Sequence, residues 1–309
     1  MQFRAMSDIN TTVTVVWQRA ASHRSGEISH LRHGLRHACK LLAAIGCTVA
    51  MLPCGAGERP RSSFPAHASQ GALVIARVPP RSDVEYDGRK LRVAPDGSVV
   101  FGIGRNEQGP LKISVRPPHE SATTKTIAID PRDWPVEIVN GVPQKTIEPP
   151  PGVIARIKRE AALVAAARTD DDARTDFEEM FIWPVEGRIS GRFGNQRIYN
   201  GEPGLPHSGM DIAVPQGTPV QAPASGVVTF ANADLYLSGG TVLIDHGHGV
   251  NSNFLHLSRI DVKVGDHVKQ GQVIGAVGKT GRATGPHLHW GLTWFTVRLD
   301  PLLLTGIRS

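Results

Sequence analysis

Three short motifs in the last third of the 309-residue chain carry side chains able to bind a metal ion or move a proton. "PHSGMDIAVP" sets His207 and Asp211 four residues apart at the entrance to a strand-like run. A neutral imidazole and a carboxylate can jointly hold a dication such as zinc. "NFLHLS" holds His256 within an apolar, strand-like run, and "GPHLHWGLTW" holds His287 and His289, two apart, after a Gly-Pro turn. Side chains of a strand alternate between faces, so His287 and His289 point the same way. Each motif alone has an ordinary alternative: a turn histidine beside an Asp cap, a satisfied core histidine, and two solvent-facing imidazoles on an edge strand.

The histidines are unevenly placed. Of 13, six (His23, His30, His33, His37, His67 and His119) precede residue 120, and the rest lie from 207 onward. His246 and His248 in "DHGHGV" make a second HxH, but the intervening and following glycines argue for a turn whose side chains need not converge. His267 in "GDHVKQGQ" reads as a solvent-facing hairpin residue. There is no HExxH helix, so no glutamate base of that kind is indicated.

The elements around these residues read as mainly β. The chain has 33 Gly and 23 Pro, which suits short strands joined by turns. Residues 69–148 form short alternating runs such as "LKISVRP" and "KTIAID", with Asp87-Gly88 and Asp96-Gly97 as hairpin signals. They predict a small antiparallel β domain with no ionisable cluster, and "GIGRNEQG" is not a phosphate loop because no helix follows it. Residues 149–184 predict a linker. It opens on "EPPPG" and continues with "VIARIKREAALVAAAR", whose composition and apolar spacing are helical. Residues 185–309 return to short strands and Gly/Pro turns, as expected for an antiparallel sheet or sandwich.

Charge and cysteine usage separate residues 1–68 from the rest. They hold eight Lys/Arg against three Asp/Glu, a balance of +5 out of the chain's +6. The remainder is therefore almost neutral, without the basic stripe that nucleic-acid binding needs. Cys39, Cys47 and Cys54 are the chain's only cysteines and form no CxxC pair, which removes a thiolate zinc site. Arg32, Arg36 and Lys40 precede an apolar core from Leu41 to Leu52. That core is too short to span a membrane as a helix but fits a signal-peptide h-region, with Cys54-Gly-Ala56 and Ala66-His67-Ala68 as cleavage candidates. The expectation is export to the periplasm or cell envelope, with no stable membrane span in the mature chain. A disordered basic tail with a short buried helix is the alternative.

In their order (HxxxD, a histidine in a strand, then HxH) the motifs resemble the lysostaphin/LytM-type zinc metallopeptidase family. "GTPVQAPASGVV", "GTVLIDHGHG", "VKVGDHVKQGQVIGAVGKTGRATGPHLHWGL" and "LDPLLL" carry the same resemblance across 185–309. The upstream segments also look like exported Gram-negative members. The resemblance implies a LytM-type antiparallel β domain in which His207, Asp211 and His289 hold one zinc ion per chain. Three protein donors leave a fourth position for water. His256 and His287 become the catalytic pair. The implied activity is a peptidoglycan endopeptidase acting on peptide cross-links between stem peptides. Tyr199 and Asn200 are candidates for the cleft, and Asn200 for an inhibitory fourth ligand. Two other readings compete. One is a latent or non-catalytic regulator that activates a separate cell-wall amidase, with a cell-envelope regulator as partner. The other is a biotinyl or lipoyl carrier, suggested by "VKVGDHVKQGQVIGAVG" but lacking a Met-flanked lysine.

Overall fold

The computed structural model describes residues 61–305, so the three cysteines and the apolar core at 41–52 lie outside the described residues. The upstream part contains β1 (His67–Ser69), β2 (Leu73–Arg77), β3 (Asp83–Tyr86), β4 (Arg89–Leu91), β5 (Ser98–Gly102), β6 (Leu111–Arg116) and β7 (Thr123–Asp130). Leu111, Ile113 and Val115 of β6 are buried while Lys112, Ser114 and Arg116 are exposed, so the sheet turns one face to the core. The sheet order is β1-β7-β6-β3-β4, with β2 and β5 paired separately. Asp87 and Gly88 both have positive φ and join β3 to β4 as a two-residue hairpin. Asp96-Gly97 does turn the chain, but the strand that follows pairs with β2 instead. The Ala66-His67-Ala68 triplet is built into the sheet: β1 pairs in parallel with β7, and the Ala66 carbonyl accepts from Ala128.

After β8 (Val136–Val139), helix α1 (Pro151–Ala166) begins with proline in its first turn, where the missing N–H costs nothing. No residue of α1 is buried. Arg156 ties it to Asp234, and Glu160, which also pairs with Arg156 within the helix, accepts from the Tyr236 backbone N–H at 2.8 Å. Next come β9 (Arg188–Gly191), β10 (Gln196–Tyr199) and β11 (Glu202–Pro203). β8 runs parallel to β10, which brings a strand from the upstream segment against the site described below.

The remaining strands are β12 (Met210–Ala213), β13 (Pro219–Gln221), β14 (Gly226–Leu235), β15 (Gly239–Asp245), β16 (Val250–Leu257), β17 (Arg259–Ile260), β18 (His267–Val268), β19 (Val273–Ala276), β20 (Leu288–Trp294) and β21 (Val297–Leu299). The large sheet has the order β18-β14-β15-β16-β20-β12-β9, with β21 on β20. Every residue of β15 and β20 is buried, so both faces of the sheet centre are covered. Part of the cover comes from upstream: Gly102 of β5 packs on Trp294 and Leu299, and the Tyr86 and Trp294 rings lie 6.2 Å apart. One apolar cluster therefore runs from Val74 to Leu299. Among the described residues no helix is long and apolar enough to cross a membrane.

Candidate active site

The site forms where β12, β20 and the loop before β12 meet. In the antiparallel β12–β20 ladder Asp211 is opposite His289. His207 precedes β12, and its backbone is tied to Gly194 and Asn195 by paired hydrogen bonds. Gly209, between His207 and Asp211, leaves room for His289: a Cβ there would lie 2.7 Å from His289 Nε2 and 2.5 Å from the Trp290 carbonyl.

His207 Nε2, Asp211 Oδ1 and His289 Nδ1 make a nearly equilateral triangle. The edges are 3.1 Å (His207 to His289), 3.1 Å (His207 to Asp211) and 2.9 Å (His289 to Asp211). Three donors of a tetrahedral zinc at 2.0–2.1 Å stand about 3.3 Å apart, so the dimensions fit. The protons fit as well. His207 Nδ1 lies 3.0 Å from the Arg192 carbonyl, which can only accept, so the ring proton sits there and Nε2 offers a lone pair. Burial pushes the Asp211 carboxyl up, but His207 and His289 outweigh it and hold it well below the usual carboxylate range. Burial pushes His289 down to about 4 against the pull of Asp211, leaving it neutral. More lone pairs than protons converge on this triangle, which is the condition a cation relieves. Among the described residues this is the only group of three or more His, Cys, Asp or Glu donors of this kind.

His256 and His287 stand beside the triangle, with ring centroids 4.8 Å apart. Each gives its Nδ1 proton to a backbone carbonyl, that of Thr280 at 2.7 Å and Gly285 at 2.9 Å respectively. Their Nδ1 atoms are thereby occupied and their Nε2 atoms left for the cleft, that of His287 3.8 Å from Asp211 Oδ1. Burial, with His287 and His289 adding, pushes His256 down to about 3. Its orientation needs an irregularity. Leu255, not His256, is opposite His289, so strict alternation would turn His256 away. The β15–β16 register instead shifts by a residue here, and His256 takes φ 65°. Such a bulge re-aims a side chain.

The five residues line a cleft of about 1630 Å³. Its walls include residues 104–108 and 137–140 from upstream, together with Tyr199, Leu205 and Arg282. The Arg282 guanidinium lies over the Tyr199 ring, 4.4 Å from its centroid. Asn200 does not reach the triangle: its amide donates to the Val142 carbonyl at 2.9 Å and to Gln144. The inhibitory role expected for it therefore has no support in the geometry. His246 and His248 are buried elsewhere, His246 between the Ser225 carbonyl and Ser252, and His248 against Phe177. His267 is exposed on β18.

Sequence reasoning missed Arg197 and the Arg192 carbonyl. Arg197 Nη2 donates to Asp211 Oδ2 at 2.8 Å, fixing the carboxylate so that Oδ1 faces the triangle. Gly191 permits that contact, since a Cβ there would collide with Arg197 and stand 2.6 Å from Asp211 Oδ2. "GRFGNQR" contains both residues but no motif distinguishes them from surface arginines; only the fold does.

Comparison with known proteins places the chain in a family. Residues 205–301 match the model of peptidase family M23. The chain is 44% identical over 113 residues to the peptidoglycan DD-endopeptidase ShyA of Vibrio cholerae, a match covering 36% of this chain and 26% of that one. It is 50% identical over 84 residues to the DD-carboxypeptidase/endopeptidase Mpg of Neisseria meningitidis, covering 27% of this chain and 19% of the relative. The chain thus spans about a quarter or less of the length of these curated relatives. A solved structure from Pseudomonas aeruginosa, assigned to peptidase M23, is similar over 77% of this chain and 95% of its own, with 34% identity and a TM-score of 0.60. On that breadth of similarity, the chain belongs to peptidase family M23.

Proposed function

We propose that this protein is a zinc-dependent peptidoglycan endopeptidase of the bacterial envelope, hydrolysing the peptide cross-links between stem peptides. The observation that carries the reading is the His207–Asp211–His289 triangle, with three potential ligand atoms 2.9–3.1 Å apart at one wall of an open cleft. The family and the names of ShyA and Mpg support the choice of substrate. An exported location, in the periplasm or envelope, follows from that substrate.

His207 Nε2, Asp211 Oδ1 and His289 Nδ1 would hold the zinc. A zinc ion with three protein donors supplies a Lewis acid for a scissile carbonyl and lowers the pKa of water to ~7. The rest is done by this chain's own groups. With Nδ1 bound to a carbonyl in both, a neutral His256 or His287 would offer Nε2 to accept a hydrogen bond or a proton from the attacking water. Once protonated, either imidazole can donate to the oxygen that gains charge or to the leaving amine. Their Nδ1 bonds to backbone carbonyls fix ring orientation, so little reorganisation is needed. The cleft, about 1630 Å³, would take the peptide past these groups, with residues 104–108 and 137–140 among its walls.

The test is digestion of purified Gram-negative peptidoglycan by the zinc-loaded chain and by His289→Ala, with the released muropeptides read by mass spectrometry. Uncrosslinked stem peptides released by the parent alone are expected. Absence of cleavage by a folded, zinc-loaded parent would overturn the reading and favour a latent or amidase-regulating protein.

A further inference from the structure

The geometry points to Glu137, on the upstream strand β8, as a positioning residue that sets the metal affinity of the site through Arg197. The inference rests on the proposed metal role of His207 and Asp211. Glu137 lies outside residues 205–301, the stretch matched by the family model, yet it is the cross-strand partner of Arg197 in the parallel β8–β10 pair. Its Oε2 is 3.0 Å from Arg197 Nε, an ion pair with Arg197 almost fully buried. Its Oε1 accepts from the Arg192 N–H at 3.2 Å and from the Asn195 amide at 2.5 Å.

Each of those three residues in turn touches a donor of the triangle. Arg192 accepts the His207 ring proton through its carbonyl. Asn195 accepts the His207 backbone N–H at 2.8 Å. Arg197 donates to Asp211 Oδ2 at 2.8 Å. One carboxylate therefore braces the whole 192–197 turn against both His207 and Asp211. The electrostatics matter as much as the bracing. A buried guanidinium beside Asp211 weakens that carboxylate as a ligand and repels a dication, and Glu137 supplies the charge that offsets it. Remove the charge and Arg197 can be compensated only by Asp211, in competition with the metal.

The consequence is that docking of β8 on β10, an event outside the family-matched region, tunes how tightly the site binds zinc. The test is a double-mutant cycle on the full chain, with zinc affinity read by competition against a chromophoric chelator and without any peptidoglycan. Glu137→Gln keeps the shape and an acceptor for the Arg192 N–H while losing the charge. It is expected to weaken zinc binding about tenfold in the parent and less than about twofold in an Arg197→Met background. Arg197→Lys keeps a positive charge but cannot bridge Glu137 and Asp211 with a planar fork, and is expected to weaken binding to a similar degree even with Glu137 intact. Equal loss from Glu137→Gln in both backgrounds, or unchanged affinity in Glu137→Gln or Arg197→Lys, overturns the proposal. If the parent itself binds zinc no better than His289→Ala, the metal reading fails first and takes this inference with it.

Discussion

Asp211 and His289 stand directly opposite each other in the β12–β20 ladder, with Oδ1 and Nδ1 2.9 Å apart. The register of two strands thus sets one edge of the donor triangle, and His207 adds the other two from the loop before β12. A donor supplied by a rigid ladder has no mobile substitute. His289→Ala is therefore expected to lose bound zinc and hydrolysis together while remaining folded, because the strand backbone pairs as before. Zinc content by elemental analysis beside muropeptide release checks this. Parent-like zinc in a folded His289→Ala protein would remove His289 from the ligand set.

In the proposed mechanism His256 separates chemistry from metal binding. Its Nε2 is not part of the triangle, so His256→Ala is expected to retain zinc and to lose turnover by about 10²–10⁴-fold, the usual weight of a positioned acid or base. The backbone adds a second prediction at the same position. With φ 65°, His256 occupies the left-handed region, where glycine is free of the Cβ penalty. His256→Gly should be as inactive as His256→Ala but more stable than it by roughly 1 kcal/mol. Urea denaturation of the two variants decides the point, and a less stable glycine variant would mean that the left-handed geometry is not held in solution.

That bulge also marks where the sequence stops being readable. The donor types, their order and the shared face of His287 and His289 follow from residue chemistry and the two-residue period of a strand. The β character follows from alternating runs such as Leu111–Arg116, and the helix from the composition after Pro151. What was not legible depends on contacts between distant segments. Strict alternation would turn His256 away from the site, and only the register shift against β15 brings it back. Arg197 and the Arg192 carbonyl meet the donors only because the 192–197 turn packs on the loop holding His207. The parallel pairing of β8 with β10 joins residues about sixty apart across a helix, and no local pattern encodes it. The Asp96-Gly97 turn was visible, but the strand after it pairs with β2, about 25 residues upstream, and no local pattern names that partner.

Gly209 is a position where a single methyl group should reach the donor triangle. A Cβ would come within 2.7 Å of His289 Nε2, 2.5 Å of the Trp290 carbonyl and 2.8 Å of Gly291 Cα, and two of these three are backbone atoms. The imidazole is therefore the part that yields. Gly209→Ala is expected to weaken zinc binding at least about tenfold and to destabilise the protein by about 1–3 kcal/mol. Chelator competition and thermal unfolding of the variant test both halves. Parent-like zinc affinity would show that the His207–Asp211 loop can move off β20 without cost.

A buried histidine away from the triangle makes the stability pH-dependent. His246 is fully buried, donates from Nδ1 to the Ser225 carbonyl at 2.7 Å and accepts at Nε2 from Ser252 at 2.9 Å. Burial pushes it down to about 4, with Arg174 adding to the effect. The unfolded chain takes up this proton near pH 6.5 and the folded chain only near 4. Between those values the unfolded state binds more protons, so His246 favours unfolding as pH falls, by at most about 1.4 kcal/mol per unit. Neighbouring Asp245 acts in the opposite sense. Burial pushes it up to about 7 against the pull of Arg174, so acidification below 7 relieves a cost in the folded state. The two contributions overlap in the intact protein, which is why a difference measurement is required. Metal-free parent and His246→Gln should be unfolded in urea from pH 7 to pH 4. Both retain Asp245, so the stability of the parent relative to the variant should fall steadily from 6.5 toward 4. A constant difference across that range would mean that His246 takes up its proton in the folded protein as readily as in the unfolded chain.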